Sequence, residues 1–461
     1  MTDKARSIEA GDQAFLLHPT TNLHEHRVKG PLVLTHGQGV RVWDNQGHEY
    51  IEAMAGLWCN SLGHGDEELA KVAYEQTKSL SFAHLFQGRT HEPAVRLCEK
   101  LIELAPYDLS KVFLGCSGSD ANDTQIKMIW YYNNAIGRPQ KKKIISRKGG
   151  YHGVTIGSGS LTGMDTFHEA FDLPLPFARH VEYPNFRQGA HAGESEEDFV
   201  ARLVRELEDL IIMEGPDTVA AFIAEPICAA GGVIVPPDSY FPAIHAVLNK
   251  YDILLIDDEV VCGFGRTGNI FGAQTVGMQP STMTLAKALS SGYAPISAVL
   301  IPQFMVDAFE EMSAKTGNFG HGYTYSGHPL CAAIALRTLE IYEERDIYSH
   351  AAKVGAIMQK RLAGLMNHPL IGEVRGTGLI GAIQIAKTKD PLEKFDSEDG
   401  VGAFCAARCL VHGVLTRASG DSLMLCPPLV ITDNEIDEMF DRLTLALDDT
   451  LAMATKEKIV A

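Results

Sequence analysis

The stretch Ile253-Leu254-Leu255-Ile256-Asp257-Asp258-Glu259 decides the fold, because a short apolar run ends abruptly in three acidic residues. Uninterrupted runs of this kind are typical of strands that are buried on both faces of a parallel sheet. Similar runs recur at residues 112–114, 144–145, 219–223, 233–235 and 298–301. Amphipathic helical patterns separate them, as at residues 199–211, where Ser195 is placed to cap the helix. The alternation predicts an α/β fold with a mostly parallel sheet between helices.

The two ends of the chain have a different pattern. Residues 35–52 alternate between apolar and polar, with glycines at the turns, which predicts a small antiparallel sheet. A long helical stretch begins at Pro329, and glycine-rich strands at 372–381 and a closing helix near 434–447 follow it. We therefore predict a large domain at residues 62–328 and a smaller α+β domain built from residues 1–61 and 329–461.

Composition excludes several classes of function. The 461 residues include 40 Lys and Arg against 58 Asp and Glu, a net charge of −18, which argues against a nucleic-acid partner. No run approaches the ~18 apolar residues that a membrane span needs, so we expect no membrane partner. The nine cysteines lack zinc-site spacing, and the charged N-terminus does not resemble a signal peptide. These features predict a cytoplasmic protein with reduced thiols and no metal site.

Lys287 is the first candidate for chemistry. It follows the apolar run at 282–286 and lies in a turn rich in serine and glycine. A lysine that is kept out of water is a nucleophile for carbonyl carbons, because it is more easily uncharged. A lysine that extends from the sheet edge into solvent explains the same pattern equally well.

The turn Gly115-Cys-Ser117-Gly118-Ser119-Asp120 is the second candidate. It joins a predicted strand to a predicted helix, and N–H and hydroxyl groups at the start of a helix bind anions. Ordinary capping of that helix by Ser119 is the alternative explanation.

Asp258, at the carboxyl end of its strand, completes a set that points to one cofactor. A phosphate-binding turn, a nucleophilic lysine and a buried carboxylate are the groups that hold pyridoxal phosphate. The lysine would form the Schiff base, and the carboxylate would keep the pyridine nitrogen protonated. The ring would then accept electrons from the substrate carbon.

A glycine motif at Gly263-Phe-Gly265-Arg-Thr-Gly268 leaves an oxidoreductase that uses NAD as an alternative. Such a site needs a helix to begin at the turn and an acidic residue about 20 positions later. The residues that follow have the pattern of a loop, and the first later acidic residue is Asp307. We therefore interpret the motif as a turn.

In their residues and their order along the chain, these motifs resemble those of the class III aminotransferases. That family has the fold called fold type I of the enzymes that use pyridoxal phosphate (PLP). The resemblance extends from about Pro31 to Leu447. The segments that carry it are 117–122 (Ser-Gly-Ser-Asp-Ala-Asn), Tyr151-His-Gly, Ala224-Glu-Pro226, 258–268, Lys287, 321–329 and Gly376-Thr-Gly378.

The resemblance implies a role for each matching residue. Lys287 would form the Schiff base and move the proton, and Asp258 would pair with the pyridine nitrogen. The other cofactor contacts would be Ser117, Gly118 and Ser119 at the phosphate, Tyr151 and Val260 on the ring faces, His152 at the ring edge, and Glu225 near the 3-hydroxyl. Thr324 would reach the phosphate of the neighbouring subunit, which implies a homodimer with shared sites, either alone or within a tetramer.

Differences between this chain and other class III aminotransferases indicate which subfamily it resembles most. Members of the ornithine and 4-aminobutyrate type carry a second glutamate where this chain has Ala230, and an arginine near Met424. Arg417 instead resembles the mobile arginine of the ω-amine:pyruvate transaminases, which binds the carboxylate of pyruvate or alanine and moves aside for other amines. The substrate pocket of those enzymes would be matched by Trp58, Phe86, Tyr151 and Arg417.

The predicted activity is transfer of an amino group from an ω-amine or ω-amino acid to pyruvate, which gives an aldehyde or ketone and alanine. The donor would be of the β-alanine, 6-aminohexanoate, diamine or taurine type. A racemase, aminomutase or decarboxylase on the same scaffold is the alternative within PLP chemistry. The sequence leaves open which donor is used and what Asp257 does.

Overall fold

A computed structural model describes residues 7–457 and 459 of the chain. The strands are β1 (Leu34–Gln38), β2 (Arg41–Asp44), β3 (Glu49–Glu52), β4 (Lys111–Gly115), β5 (Lys143–Arg147), β6 (Ala178–Val181), β7 (Val219–Ala224), β8 (Leu254–Asp258), β9 (Thr282–Leu285), β10 (Ser297–Ile301), β11 (Ile371–Thr377), β12 (Ile380–Ile385), β13 (Thr388–Lys389), β14 (Leu392–Glu393), β15 (Val414–Leu415), β16 (Arg417–Ser419) and β17 (Ser422–Leu425). The α-helices are α1 (Ile8–Phe15), α2 (Leu23–Lys29), α3 (Ala55–Trp58), α4 (Glu67–Ser79), α5 (Glu92–Leu104), α6 (Gly118–Ala135), α7 (Ile156–Leu161), α8 (Phe186–Gly189), α9 (Glu196–Glu214), α10 (Tyr240–Lys250), α11 (Gly272–Val276), α12 (Gln303–Thr316), α13 (Pro329–Glu344), α14 (Ile347–Gly364), α15 (Val401–Val411) and α16 (Asp433–Lys456).

The central sheet of the described residues has seven strands in the order β4-β10-β9-β8-β7-β5-β6. Strands β5 to β9 pair in parallel, whereas β10 runs antiparallel to both β9 and β4. The predicted α/β fold with a mostly parallel sheet is therefore confirmed. The direction of β10 was not predictable, because an apolar run looks the same in either orientation.

The two faces of this sheet bury separate apolar layers. Phe222 and Leu255 pack with α9 and α10, whereas Ile223 and Ile256 face α6 and α12 on the other side. All six residues of β7 are buried, as expected for a central strand with helices on both faces. Ser195 caps α9 as predicted, because its side chain accepts a hydrogen bond from the Asp198 N–H group.

One predicted strand was wrong. Residues 233–235 form only an isolated bridge, between Cys228 and Ile234. The cause is Val233, whose φ of 54° lies in the left-handed region and cannot continue an extended strand. The sequence analysis also missed β6, which contains the polar residues Arg179 and His180.

Smaller sheets are built from the two ends of the chain. In one, β1, β2 and β3 pair antiparallel as predicted, and β15 from the C-terminal part joins β3 in parallel. In another, β11, β12, β17 and β16 form an antiparallel sheet. The division into a domain of residues 62–328 and a second domain stays a prediction. Over the described ranges, no helix is long and apolar enough to cross a lipid bilayer.

This topology brings the chemical motifs to one edge of the central sheet. Asp258 ends β8, Lys287 follows β9, and Ser117 follows β4. Strands β8 and β9 are parallel, and β4 has the same direction because β10 is antiparallel to both β4 and β9. Their carboxyl ends therefore meet at the edge where open α/β sheets bind ligands.

Candidate active site

Asp258 has a buried carboxylate that the protein holds in a fixed orientation. Its Oδ2 accepts a hydrogen bond from Asn122 Nδ2 at 2.7 Å and lies 2.8 Å from His152 Nδ1. Its Oδ1 accepts one from the Val260 N–H group at 3.2 Å. The residue is only 2% exposed, so these partners replace water around the charge. The strand end is thus prepared to present a carboxylate to a cationic group.

Asn122 is the site residue that the sequence analysis did not single out. Besides Asp258, its amide also donates to the backbone oxygen of His152 at 2.7 Å. It lies four residues after Gly118, on the same face of α6 as the start of that helix. This spacing within the motif at 117–122 was the available signal. His152 itself contacts the carboxylate of Asp258, and its side chain is fully buried.

The turn before α6 leads into the N-terminus of that helix, which begins at Gly118. Ser117 is the cap, since its hydroxyl accepts from the Asp120 N–H group, and the alternative of capping by Ser119 was therefore wrong. Ser119 Oγ instead accepts from the Val154 N–H group at 3.2 Å. A Cβ atom at Gly118 would lie 3.1 Å from both methyl groups of Val260. The close approach explains the glycine and joins the turn to the residue that follows Asp258.

Lys287 is partly buried and starts a 3-10 turn directly after β9. Its φ of 49° lies in the left-handed region, a strain of roughly 1–3 kcal/mol of the kind that clusters at functional sites. Its Nζ atom lies 5.2 Å from the centre of the Trp58 ring, and the Arg417 guanidinium carbon lies 5.9 Å from the same ring centre. The structure therefore brings Lys287, Trp58 and Arg417 together, as the resemblance implied.

Glu225 is a buried carboxyl group whose two oxygens fix two loops. One accepts from the Tyr151 N–H group and the other from the Ala229 N–H group, both at 3.0 Å. Burial raises the pKa of Glu225 above its usual range. Burial also raises the pKa of Tyr151, and the charge of Arg417 opposes that rise, which places the phenol within the field of the guanidinium. Glu225 thus positions Tyr151 beside the pocket.

Phe86 and Thr324 are exposed at the surface of the single chain. Phe86 is 44% exposed, and a Cβ atom at Gly322 would lie 2.8 Å from its ring. Thr324 is exposed two residues further along the chain. Within the described part of the chain, neither makes a ring contact or hydrogen bond with Lys287. Phe86 lines a separate surface cavity of about 1590 Å³.

Asp257 is the neighbour of Asp258 in β8. It is fully buried, and so is Glu259, whose carboxylate accepts from the Gly272 and Ala273 N–H groups at 2.9 and 2.7 Å. Burial raises the pKa of Asp257 well above its usual range, and the nearby charges of Glu259 and Asp258 add to the rise. The buried, acidic surroundings of Asp257 thus favour its protonated form.

The turn at Gly263 to Gly268 does not open a dinucleotide-binding helix. The next helix, α11, has five residues, and Arg266 Nη1 donates to the backbone oxygens of Leu379 and Pro427. The motif is a turn, as we interpreted it from the sequence. Its contacts with Leu379 and Pro427 join it to the C-terminal part of the chain, which the sequence analysis did not predict.

The remaining groups fit pyridoxal phosphate. Trp58 Nε1 and His152 Nε2 are buried nitrogens without a hydrogen-bond partner among the described residues, and such atoms in a native protein call for a partner. A lysine, a fixed carboxylate and an N-terminal turn that carries hydroxyl groups surround this region. These groups, gathered at the carboxyl edge of the central sheet, are the ones that an enzyme needs to bind pyridoxal phosphate.

Comparison with known proteins identifies the family. The model of the class-III aminotransferases matches residues 23–447. Gamma aminobutyrate transaminase 3, a chloroplastic protein of Solanum lycopersicum, is 47% identical over 421 residues, which are 91% of this chain and 81% of that protein. The chain belongs to the class III aminotransferases, and pyridoxal phosphate is its cofactor.

Solved structures agree with this assignment. The ω-transaminase of Pseudomonas jessenii in complex with PMP matches with a TM-score of 0.96 at 48% identity, over 97% of this chain and 99% of that one. A thermostable ω-transaminase variant with the substitutions W58M, F86L and R417L, engineered for asymmetric synthesis of enantiopure bulky amines, also has a TM-score of 0.96. It is 48% identical and covers 97% of this chain and 100% of its own. The predicted PLP fold type I is confirmed.

Proposed function

We propose that this aminotransferase moves an amino group from an ω-amine or ω-amino acid to pyruvate, and releases an aldehyde or ketone and alanine. The observation that carries the proposal is the position of Arg417 beside the indole of Trp58, on the ring that Lys287 also approaches. One pocket thus offers a cation for a carboxylate and an aromatic wall for an apolar tail.

Arg417 is available to bind a substrate. Its side chain makes no ion pair or hydrogen bond with any part of the chain that the structure covers, and it lies on the short hairpin of β16 and β17. A planar guanidinium binds a carboxylate through two parallel hydrogen bonds. Pyruvate would occupy it in one half-reaction. An amine without a carboxylate would leave it against Trp58 in the other.

The other residues prepare the chemistry at the sheet edge. Pyridoxal phosphate, when bound, supplies a ring that accepts the electrons released at the substrate carbon. Lys287 would hold the cofactor covalently through Nζ and, once displaced by the donor, would carry the proton between carbons. Asp258, fixed by Asn122 and His152, would keep a proton on the pyridine nitrogen.

We propose the remaining cofactor contacts from where the residues lie in the structure. The turn that starts α6 is the anion-binding end of a helix beside Val260, so its N–H and hydroxyl groups would bind the phosphate. The cofactor contacts proposed in this chain are Ser117, Gly118, Ser119, Tyr151, His152, Glu225, Asp258, Val260 and Lys287.

The donor class follows from the pocket and from the relatives. This chain carries the same residue types, Trp58, Phe86 and Arg417, at the numbers that were substituted in the bulky-amine transaminase variant. The relatives from tomato and rice are named as gamma-aminobutyrate transaminases. This chain resembles them closely, although it has Ala230 where we expected that type to carry a second glutamate. We therefore add 4-aminobutyrate to the candidate donors.

We also propose a homodimer in which two subunits complete each site. Phe86 and Thr324 were assigned to the pocket and the phosphate, yet both lie on exposed surface of their own chain. A second copy would bring them to the neighbouring site. We also propose a cytoplasmic location, because the nine cysteines form no disulfide among the described residues and reduced thiols are typical of cytosolic proteins.

The test is a panel of amino donors with pyruvate as acceptor. β-Alanine, 4-aminobutyrate, 6-aminohexanoate, taurine, a diamine and an arylalkylamine are each supplied to the holoenzyme, and alanine is measured. At least one donor should give alanine in equal amount to the carbonyl product. Turnover with 2-oxoglutarate but never with pyruvate would overturn the proposed acceptor. Release of CO2 with formation of an amine, or inversion of the donor's configuration, each without alanine, would indicate a decarboxylase or a racemase.

A further inference from the structure

Three potential metal ligands converge near the N-terminus, far along the chain from the proposed catalytic residues. His18 Nε2 and His26 Nε2 each lie 2.8 Å from a different oxygen of the Asp12 carboxylate. The two imidazole rings are themselves close, with centroids 4.2 Å apart and planes tilted by 45°. One atom from each of the three side chains lies within 4.8 Å of the other two. The three side chains therefore face one point.

The spacing of these atoms is near that of a metal site. Zinc–ligand bonds of about 2.0–2.1 Å place neighbouring nitrogen and oxygen ligands about 3.3 Å apart in a tetrahedron. The two nitrogen–oxygen distances of 2.8 Å are about half an ångström shorter than that spacing. Two imidazoles and one carboxylate are also a donor set that divalent transition metals prefer.

Access to this point is partial. The side chains of Asp12, His18 and His26 are 11%, 26% and 13% exposed. An ion could enter from solvent, and water could fill its fourth position. The protein would still shield most of the coordination sphere.

A second, independent observation is that the surrounding helices lack a core. Within the single chain, no residue of α1 or α2 is buried, although α1 has eight residues and α2 has seven. Helices this short are unstable on their own, and small units without an apolar core commonly rely on a metal or another cross-link. Asp12 lies on α1, His26 on α2 and His18 in the connection between them. An ion held by all three would fasten both helices to each other.

We propose that Asp12, His18 and His26 form a structural binding site for a divalent transition metal of the Zn²⁺ type. The site is independent of the proposed amino transfer, and the sequence analysis, which expected no metal, did not detect it. Its irregular spacing in the chain, together with its position in a helix, a connection and a second helix, matches no common motif.

The test uses Zn²⁺ itself with the tag-free holoenzyme, after treatment with a chelator and dialysis. Bound zinc is measured by equilibrium dialysis and elemental analysis for the wild type, Asp12→Asn, His26→Ala and His24→Ala. His24 is an exposed histidine of α2 outside the cluster and serves as the matched control. We expect one zinc ion per chain in the wild type and His24→Ala. Affinity should be weaker by at least about tenfold in the other two variants, since even loss of an outer partner costs ~10–100-fold.

Two further measurements make the outcome decisive. Co²⁺ in place of Zn²⁺ should give the visible absorption of a low-coordinate site, and this band should be absent in His26→Ala. Zinc should also raise the unfolding temperature of the wild type and not that of Asp12→Asn. Failure of the wild type to take up zinc at micromolar concentration, or equal uptake by Asp12→Asn, would show that the three side chains form only a hydrogen-bonded cluster. Amino-transfer activity is not a readout here, so this result is separate from the donor panel.

Discussion

The Lys287 ammonium nitrogen lies 5.2 Å from the centre of the Trp58 ring, and the Arg417 guanidinium carbon approaches that ring to 5.9 Å. A single indole thus lies near both the residue proposed to carry the reacting proton and the residue proposed to bind a carboxylate. Two cations on one aromatic ring are tolerated because its electron-rich face attracts each of them.

Arg417→Ala should separate the two half-reactions. Because the guanidinium is proposed to bind only carboxylates, we expect the kcat/KM for pyruvate to fall by about 10- to 100-fold, equivalent to the ~1.5–3 kcal/mol of a hydrogen bond to a charged group. The value for a simple arylalkylamine should change little. The measurement is single-turnover kinetics of each half-reaction. Arg205→Ala, at an exposed arginine of α9, is the control. Equal losses for both substrates would contradict the assignment.

Lys287→Ala should remove the covalent link to the cofactor. We expect the visible absorption band of the internal Schiff base to disappear and turnover to fall by at least about 10²-fold, the lower range for a lost general acid–base residue. The absorption spectrum after reconstitution with pyridoxal phosphate measures the first effect. Lys315→Ala, at an exposed lysine of α12, should keep the wild-type spectrum. An unchanged band in Lys287→Ala would assign the link to another lysine.

Asn122→Ala tests whether the partners of Asp258 matter. The loss of the 2.7 Å hydrogen bond to Oδ2 should lower kcat by about tenfold, and Asp258→Asn should lower it by ~10²–10³-fold because the charge itself is removed. The cofactor absorption should shift with pH in both variants if the pyridine nitrogen loses its proton. Asn134→Ala, on the exposed side of the same helix, is the control. A wild-type kcat in Asn122→Ala would make this contact dispensable.

Much of this site was predictable because its residues sit in short motifs at the ends of strands. Lys287, Asp258 and Ser117 follow apolar runs, and parallel topology alone brings such positions together. The hydrogen-bond partners of Asp258 were harder to predict. Asn122 lies 136 positions away in the sequence, so its contact with Asp258 leaves no local pattern. The direction of β10 and the left-handed φ of Val233 were invisible for the same reason, because tertiary packing rather than local propensity decides them.

Glu52 predicts a pH dependence of stability. It is 5% exposed at the end of β3, and burial raises its pKa to about 7 although hydrogen bonds from the Met54 and Gly56 N–H groups oppose the rise. The folded state therefore binds a proton more tightly than the unfolded state. The stability that results is complete below pH ~4.3 and is lost as the pH rises through about 7.

Glu52→Gln should remove the loss of folding stability that the wild type shows as the pH rises through about 7. The interval from 4.5 to about 7, at ~1.4 kcal/mol per pH unit, sets a ceiling of ~3.5 kcal/mol on the gain at pH 8. At pH 4.5 the variant and the wild type should be nearly equal. Urea unfolding at both pH values measures the difference, and Glu75→Gln, at an exposed glutamate of α4, should follow the wild type. A variant that is less stable than the wild type at pH 8 would show that the carboxylate is ionised in the folded protein.

The most direct test of the proposed activity follows the nitrogen atom. The holoenzyme is given an ω-amine labelled with ¹⁵N together with unlabelled pyruvate, and the alanine that forms is analysed by mass spectrometry. We predict that the alanine carries the label in an amount equal to the aldehyde or ketone released, and that Lys287→Ala forms none. Consumption of the donor without labelled alanine would contradict amino transfer to pyruvate.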